Sequence, residues 1–134
     1  TPYYPYNLNF YSVLFFLFPI IIGINYNCII ISKGSFCCLI TGLMYHSNYI
    51  KFFFILDKIT VVLCVIYFII NGFTYTIYFI FTSFCALFLI LGYNYLSFSD
   101  NGVLYHSIIH FISSLGIIFL ILGCDQTKCS LQLN

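Results

Sequence analysis

The three histidines of this chain, His46, His106 and His110, are the residues best suited to carry chemistry. His106 and His110 are four residues apart, so on a helix their imidazoles would lie on one side, about one turn apart. Two imidazoles at this spacing are a common way for one helix to bind a transition metal. A third imidazole, from His46, would complete a three-histidine site with a fourth position open for water. The pattern therefore predicts a metal site.

Asp57 is the one acidic residue that falls well inside an apolar run. Ionisable groups inside a membrane are costly and are functional hypotheses by default. Beside a metal site, the carboxylate of Asp57 would orient a ligand or act as the catalytic base. A second interpretation stays open, in which Asp57 and Lys58 extend toward the membrane surface and the histidines only hydrogen bond to headgroups.

The composition indicates which solvent surrounds these residues. Hydrophobic residues make up 63% of the 134, charged residues 5%, and the mean hydropathy is +1.08. A soluble domain carries about 25% charged residues, so this chain is predicted to be an integral membrane protein. A net charge of +1 and the lack of arginine give no footprint for nucleic acid, which we exclude as a partner.

The apolar residues fall into continuous runs, most of them near 20 residues long, which favour helices over the alternating strands of a barrel. We therefore predict an all-α bundle of about five transmembrane helices in a single domain. The predicted spans are residues 10–31, 35–49, 52–70, 73–96 and 103–122, followed by a polar tail at 123–134. A turn is predicted at Ser32-Lys33-Gly34. Pro19 and Asn25-Tyr26-Asn27 predict a kink or an early end of the first span.

This number of spans determines where the polar residues lie. Successive spans cross in opposite directions, so the end of the second, the start of the third and the start of the fifth share one membrane face. His46, Asp57, His106 and His110 would then lie at similar depth near that face. A different number of crossings between Asp57 and His106 would separate them.

Two short stretches resemble helices of the CREST superfamily, which includes alkaline ceramidases and progestin/adipoQ-type receptors. The first runs from Gly42-Leu43-Met44-Tyr45-His46 to Ile55-Leu56-Asp57, and the second is Tyr105-His106-Ser107-Ile108-Ile109-His110. The resemblance implies a zinc ion held by His46, His106 and His110. It also implies hydrolysis of an amide in a lipid, assisted by Asp57.

The chain departs from that family in two ways. The family serine lies four residues before the first histidine, where this chain has Gly42, and the adjacent Thr41 is expected to point to another side of the helix. Members usually have seven spans, whereas about five are predicted here. The resemblance thus implies either a lipid amide hydrolase or its inactive remnant.

A different class of function also fits. Aromatic residues reach 22% and offer large rigid contact surfaces, as expected of an accessory or structural subunit in a multi-subunit membrane complex. Respiratory and ATP-synthase complexes of protist mitochondria contain such chains. The expected partners are membrane lipids and other transmembrane subunits. The expected location is the mitochondrial inner membrane or the endoplasmic reticulum.

Overall fold

A computed structural model of the protein describes residues 8–48, 50–72, 76–92 and 102–123. All regular structure within these residues is helical, so the prediction of an all-α fold is confirmed. The five helices are α1 (Leu8–Asn25), α2 (Ile29–Ser47), α3 (Lys51–Gly72), α4 (Thr76–Leu91) and α5 (Gly102–Gly123). The predicted tail beyond Gly123 and the predicted end of the fourth span at residue 96 lie outside the described residues.

Three of the helices, α1, α2 and α5, are long and apolar enough to cross a membrane. At 1.5 Å per residue, the 22 residues of α3 extend for about 33 Å. The 16 residues of α4 extend for about 24 Å on the same rise. A hydrocarbon core is about 30 Å thick, so the count of five crossings stays a prediction.

The turn between the first two helices is not where the composition placed it. The predicted turn at Ser32-Lys33-Gly34 is wrong, because these residues lie inside α2. The chain instead turns after Asn25, where Asn27 has a φ of 60°. Asparagine is one of the few residues that adopt this left-handed conformation readily. The early end predicted for the first span is therefore found.

Ser32 remains helical because its hydroxyl has a partner in the neighbouring helix. Its Oγ donates to the carbonyl oxygen of Ile20 in α1 at 3.0 Å. A polar side chain in an apolar run indicates a turn only if its hydrogen-bond partner is water. Here the partner of Ser32 is a carbonyl of the neighbouring helix, so the helix continues.

Pro19 lies inside α1, three residues after the end of a short 3₁₀ stretch at Val13–Phe16. A proline has no N–H to donate to the carbonyl four residues earlier, which in α1 belongs to Phe15. The hydroxyl of Ser114 in α5 donates to that carbonyl at 2.7 Å. The helix thus continues through the proline, and the carbonyl binds α1 to α5.

Successive helices run in opposite directions wherever the contacts define them. In three pairs of helices, the residue numbers of the contacting residues fall along one helix as they rise along the other. The contacts are Val13–Gly42 and Ile20–Ser32 for α1 and α2, Thr41–Asp57 and Gly34–Cys64 for α2 and α3, and Cys85–Gly116 and Phe81–Phe119 for α4 and α5. These three pairs are therefore antiparallel.

The first and last helices run in the same direction. Asn9 pairs with Ser107, Ser12 with His110, and Phe15 with Ser114, so the numbers rise together along α1 and α5. With the antiparallel pairs, this arrangement puts the starts of α1, α3 and α5 at one end of the bundle. The end of α2 lies there too.

The buried core lies between α1, α2 and α5. It is formed by Val13, Phe16, Cys28, Ile31, Cys38, Leu39, Ile117, Leu120 and Ile121. Large apolar side chains are instead exposed along α3 and α4, among them Leu63, Ile66, Phe84 and Phe88. A surface of this kind requires lipid or other transmembrane helices around it, because water does not tolerate large apolar patches.

Candidate metal centre

The three histidines converge at the end of the bundle where α2 finishes and α5 begins. His46 is the penultimate residue of α2, and His106 and His110 lie in the first three turns of α5. Their ring centroids are 4.6 Å apart for His106 and His110, and 5.0 and 5.1 Å from His46 to each of them. One nitrogen from each ring lies within 4.8 Å of the other two. We call these residues the three-histidine cluster.

The cluster could hold a metal ion. Three imidazoles are an established ligand set for zinc, with Zn–N bonds of about 2.0–2.1 Å and nitrogens therefore about 3.3 Å apart in a tetrahedron. The nitrogens of the cluster lie within 4.8 Å of one another. Side-chain rotations that move the nitrogens by about an ångström would bring them to the spacing of a zinc site. The donor set and the spacing therefore fit zinc.

His46 is the most enclosed member, with 2% of its surface exposed. Its Nε2 atom is buried, and the residue has further interactions within the chain. A buried imidazole nitrogen beside two further imidazoles is well placed as a ligand atom. Helix α2 would therefore contribute one donor to a metal ion and α5 would contribute two.

His110 has a partner on α1 that sequence reasoning missed. Its Nδ1 atom lies 2.7 Å from Oγ of Ser12. The same oxygen donates to the main-chain carbonyl of Asn9 at 2.9 Å. Asn9 and Ser12 are polar residues three apart at the start of the first apolar run. Because successive spans cross in opposite directions, the start of this span is predicted at the same membrane face as the histidines. That combination was the signal available in the sequence.

Asp57 lies near the start of α3 and is buried. Its Oδ1 atom accepts a hydrogen bond of 3.0 Å from the hydroxyl of Thr41. Thr41 lies on α2, one residue from the position of the family serine, and its hydroxyl reaches toward α3. The predicted catalytic acid thus has a defined hydrogen-bond partner in the neighbouring helix.

A cavity of about 260 Å³ connects these groups. Asp57, His106 and His110 line it, while His46 contacts the two histidine rings from outside the wall. Most of the remaining wall is apolar and includes Val13, Phe16, Val61, Leu89, Ile90 and Ile117. An apolar cavity with a few convergent polar groups is the usual form of a small-molecule site, with volumes from about 300 Å³.

Gly42 occupies the position of the family serine, and the structure gives a packing reason for glycine there. A Cβ atom at residue 42 would lie 2.9 Å from Cγ1 of Val13. Any larger side chain would therefore push α1 and α2 apart or displace Val13. The hydroxyls found in this region belong instead to Ser12 and Thr41.

The resemblance to the CREST superfamily remains a prediction. The order of the histidines and the aspartate along the chain carries it. No protein-family model, no curated protein and no solved structure matches this chain.

Proposed function

We propose that this chain is an intramembrane hydrolase that cleaves the amide bond of a lipid at a zinc ion held by His46, His106 and His110. One observation carries the proposal. Three imidazoles from two helices meet beside an apolar cavity that Asp57 also lines. The resemblance stated above adds the substrate class, because lipid amides are the substrates of the ceramidases in that superfamily.

The zinc ion, Asp57 and the apolar wall of the cavity each have a separate role in such a reaction. A zinc ion, when bound, supplies the Lewis acid that activates water and polarises a carbonyl group. Asp57, on the cavity wall with His106 and His110, is the base that takes a proton from water. The apolar side chains around the cavity exclude bulk water and hold the hydrocarbon part of the substrate.

The proposal is tested by metal content and hydrolysis. Protein purified in detergent is analysed for zinc by mass spectrometry and assayed with a fluorescent N-acyl lipid amide in mixed micelles. We expect one zinc per chain, hydrolysis that stops with a chelator, and recovery when zinc is returned. His110→Ala is expected to lose both zinc and activity, because two imidazoles remain. Protein without stoichiometric zinc would contradict the proposal.

Ser35→Ala is the matched control for a buried polar substitution. Ser35 is fully buried in α2, and its hydroxyl donates to the carbonyl of Ile31 in the same helix at 2.9 Å. It lies outside the cavity wall. This variant should keep zinc and activity, so a loss specific to His110→Ala separates a ligand from a general packing defect.

Two outcomes would favour a different function. Stoichiometric zinc without hydrolysis of any lipid amide would indicate the inactive remnant of such an enzyme. A chain that lacks zinc and copurifies at fixed stoichiometry with other membrane subunits would indicate an accessory subunit. The large apolar side chains exposed on α3 and α4 suit both lipid and protein neighbours, so they do not distinguish these readings.

A further inference from the structure

We propose that Ser12 is a positioning residue for His110: its hydroxyl accepts the Nδ1 hydrogen, fixes the tautomer and directs Nε2 to the three-histidine cluster. This inference rests on the proposed function for its consequence, the binding of zinc. Its direct claim, the tautomer of His110, concerns the protein without metal. The two can therefore be tested separately.

The single hydroxyl hydrogen of Ser12 determines the direction of its contact with His110. A serine hydroxyl has one hydrogen and can donate once. Oγ of Ser12 lies 2.9 Å from the carbonyl oxygen of Asn9, which can only accept, so the hydrogen points there. Oγ is also 2.7 Å from Nδ1 of His110. With its hydrogen already used, the hydroxyl must accept in this second bond, and Nδ1 must carry the hydrogen.

The hydrogen on Nδ1 determines which nitrogen of His110 can bind a metal. A neutral imidazole with its hydrogen on Nδ1 has its lone pair on Nε2. Ligation of zinc requires such a lone pair, and ligand histidines usually donate their other N–H to a nearby acceptor. Because Ser12 occupies Nδ1, Nε2 is the atom through which His110 serves the cluster.

Asn9 accepts hydrogen bonds from two serines and so links Ser12 on α1 to α5. Its main-chain carbonyl accepts from Ser12, and its side-chain Oδ1 accepts from Oγ of Ser107 at 2.9 Å. Ser107 lies on α5, about one turn before His110. Asn9, Ser12 and Ser107 are all at least 90% buried, so water does not compete with these bonds. The first turns of α1 thus fix the orientation of a ligand on α5.

The same contact could be read as a nucleophile and its base. A serine 2.7 Å from a histidine nitrogen suits nucleophilic catalysis if the hydroxyl hydrogen points to the ring. The bond to the Asn9 carbonyl opposes this, because it uses the only hydrogen. A metal-independent acyl-enzyme trapped on Ser12 would overturn our assignment.

The tautomer is measured by NMR of protein labelled with ¹⁵N only in histidine. The chain has three histidines, so three imidazoles are seen, and the one lost in His110→Ala identifies His110. In metal-free protein we expect His110 as the Nδ1–H tautomer, with a changed tautomer ratio in Ser12→Ala. Ser12→Thr keeps the hydroxyl and should retain the ratio, and the Ser35→Ala control should not alter it. Unchanged His110 signals in Ser12→Ala would overturn the proposal.

Zinc affinity, measured by chelator competition, gives the second readout. Loss of such an outer partner typically weakens metal binding about 10–100-fold, which we expect for Ser12→Ala but not for Ser12→Thr. If Ser12→Ala fails to fold, Ser12→Cys keeps the volume, supplies only a weak acceptor and should show the same losses. Should the unaltered protein bind no zinc while the tautomer still depends on Ser12, the proposed function fails and this inference stands. Should zinc bind equally well without the hydroxyl and the tautomer persist, this inference fails alone.

Discussion

Asp57 combines burial with one defined hydrogen bond. The Thr41 hydroxyl donates to Oδ1 at 3.0 Å and orients the carboxylate between α2 and α3. The same side chain forms part of the cavity wall next to His106 and His110. Three imidazoles already complete the protein ligands of an open zinc site. Under the proposed function, the carboxylate is therefore needed as a base and not as a ligand.

Replacement of Asp57 by asparagine tests this division of roles. Asp57→Asn keeps the shape and the bond from Thr41 but removes the proton acceptor. We expect unchanged zinc content and hydrolysis slowed by about 10²–10⁴-fold, the usual contribution of a general base. Thr41→Val, which removes only the orienting bond, should cost less. Loss of zinc from Asp57→Asn would instead make Asp57 a ligand, and an unaltered rate would remove it from the reaction.

Single residues differ in how far the sequence predicts them. The spacing of His106 and His110 is enough to place them together, because one helix positions both. Ser12 was not predicted, because a serine in an apolar helix usually bonds to its own backbone. Ser35 and Ser113 do so, to Ile31 and Ile109. The packing of α1 against α5 shows that Ser12 also reaches another helix.

Helices α1 and α2 approach closely where Gly42 faces Val13. The missing side chain at residue 42 lets the valine pack directly against the α2 backbone, with Cγ1 2.9 Å from where a Cβ would be. Val13 is fully buried there and follows Ser12 directly. The contact therefore supports the part of α1 that reaches His110.

Gly42→Ser, which introduces the serine that CREST proteins have four residues before their first histidine, should destabilise the bundle. Overpacking of this kind typically costs about 1–3 kcal/mol, read as a lower midpoint of thermal unfolding followed by circular dichroism. Adding Val13→Ala removes both methyl groups from the path of the new side chain. The double variant should lose less stability than the sum of the single ones, since residues in contact are not additive. Strict additivity would mean that the two side chains do not meet.

Helix boundaries were predicted less well than helix identity. The continuous apolar runs indicated helices correctly, since run length and composition are local properties. The turn assigned to Ser32-Lys33-Gly34 was wrong, because the bond from Ser32 to Ile20 is a tertiary contact that no single run reveals. Asn27 carried the correct signal, as a residue able to adopt the left-handed conformation that the turn requires.

At the scale of the whole molecule, helix direction brings the polar groups together. Because α1 runs parallel to α5 and antiparallel to α2, the first turns of α1 and α5 lie beside the last turn of α2. The antiparallel contact of α2 with α3 brings Asp57 to the same end. The residues involved are far apart in the chain, with a sequence separation of 98 for Ser12 and His110. Their meeting depends on the direction of every helix between them.

The membrane topology that matches these directions can be tested by labelling. Single cysteines are introduced at Tyr26, between α1 and α2, at Asn48, just after α2, and at Ser97, between α4 and α5. Each variant is treated in sealed vesicles with a membrane-impermeant maleimide. The unaltered chain, with its seven cysteines, gives the background. We expect Asn48→Cys and Ser97→Cys to label from one side and Tyr26→Cys from the other, because α3 and α4 would each cross once.

The comparison of Asn48→Cys with Ser97→Cys tests whether the number of crossings between α2 and α5 is even. Labelling from the same side requires an even number of crossings between α2 and α5, which is what keeps His46 at the depth of His106 and His110. Labelling from opposite sides would put an odd number of crossings there. The end of α2 and the start of α5 would then face different sides of the membrane. The three-histidine cluster could not persist in the bilayer, and the structural-subunit reading would gain.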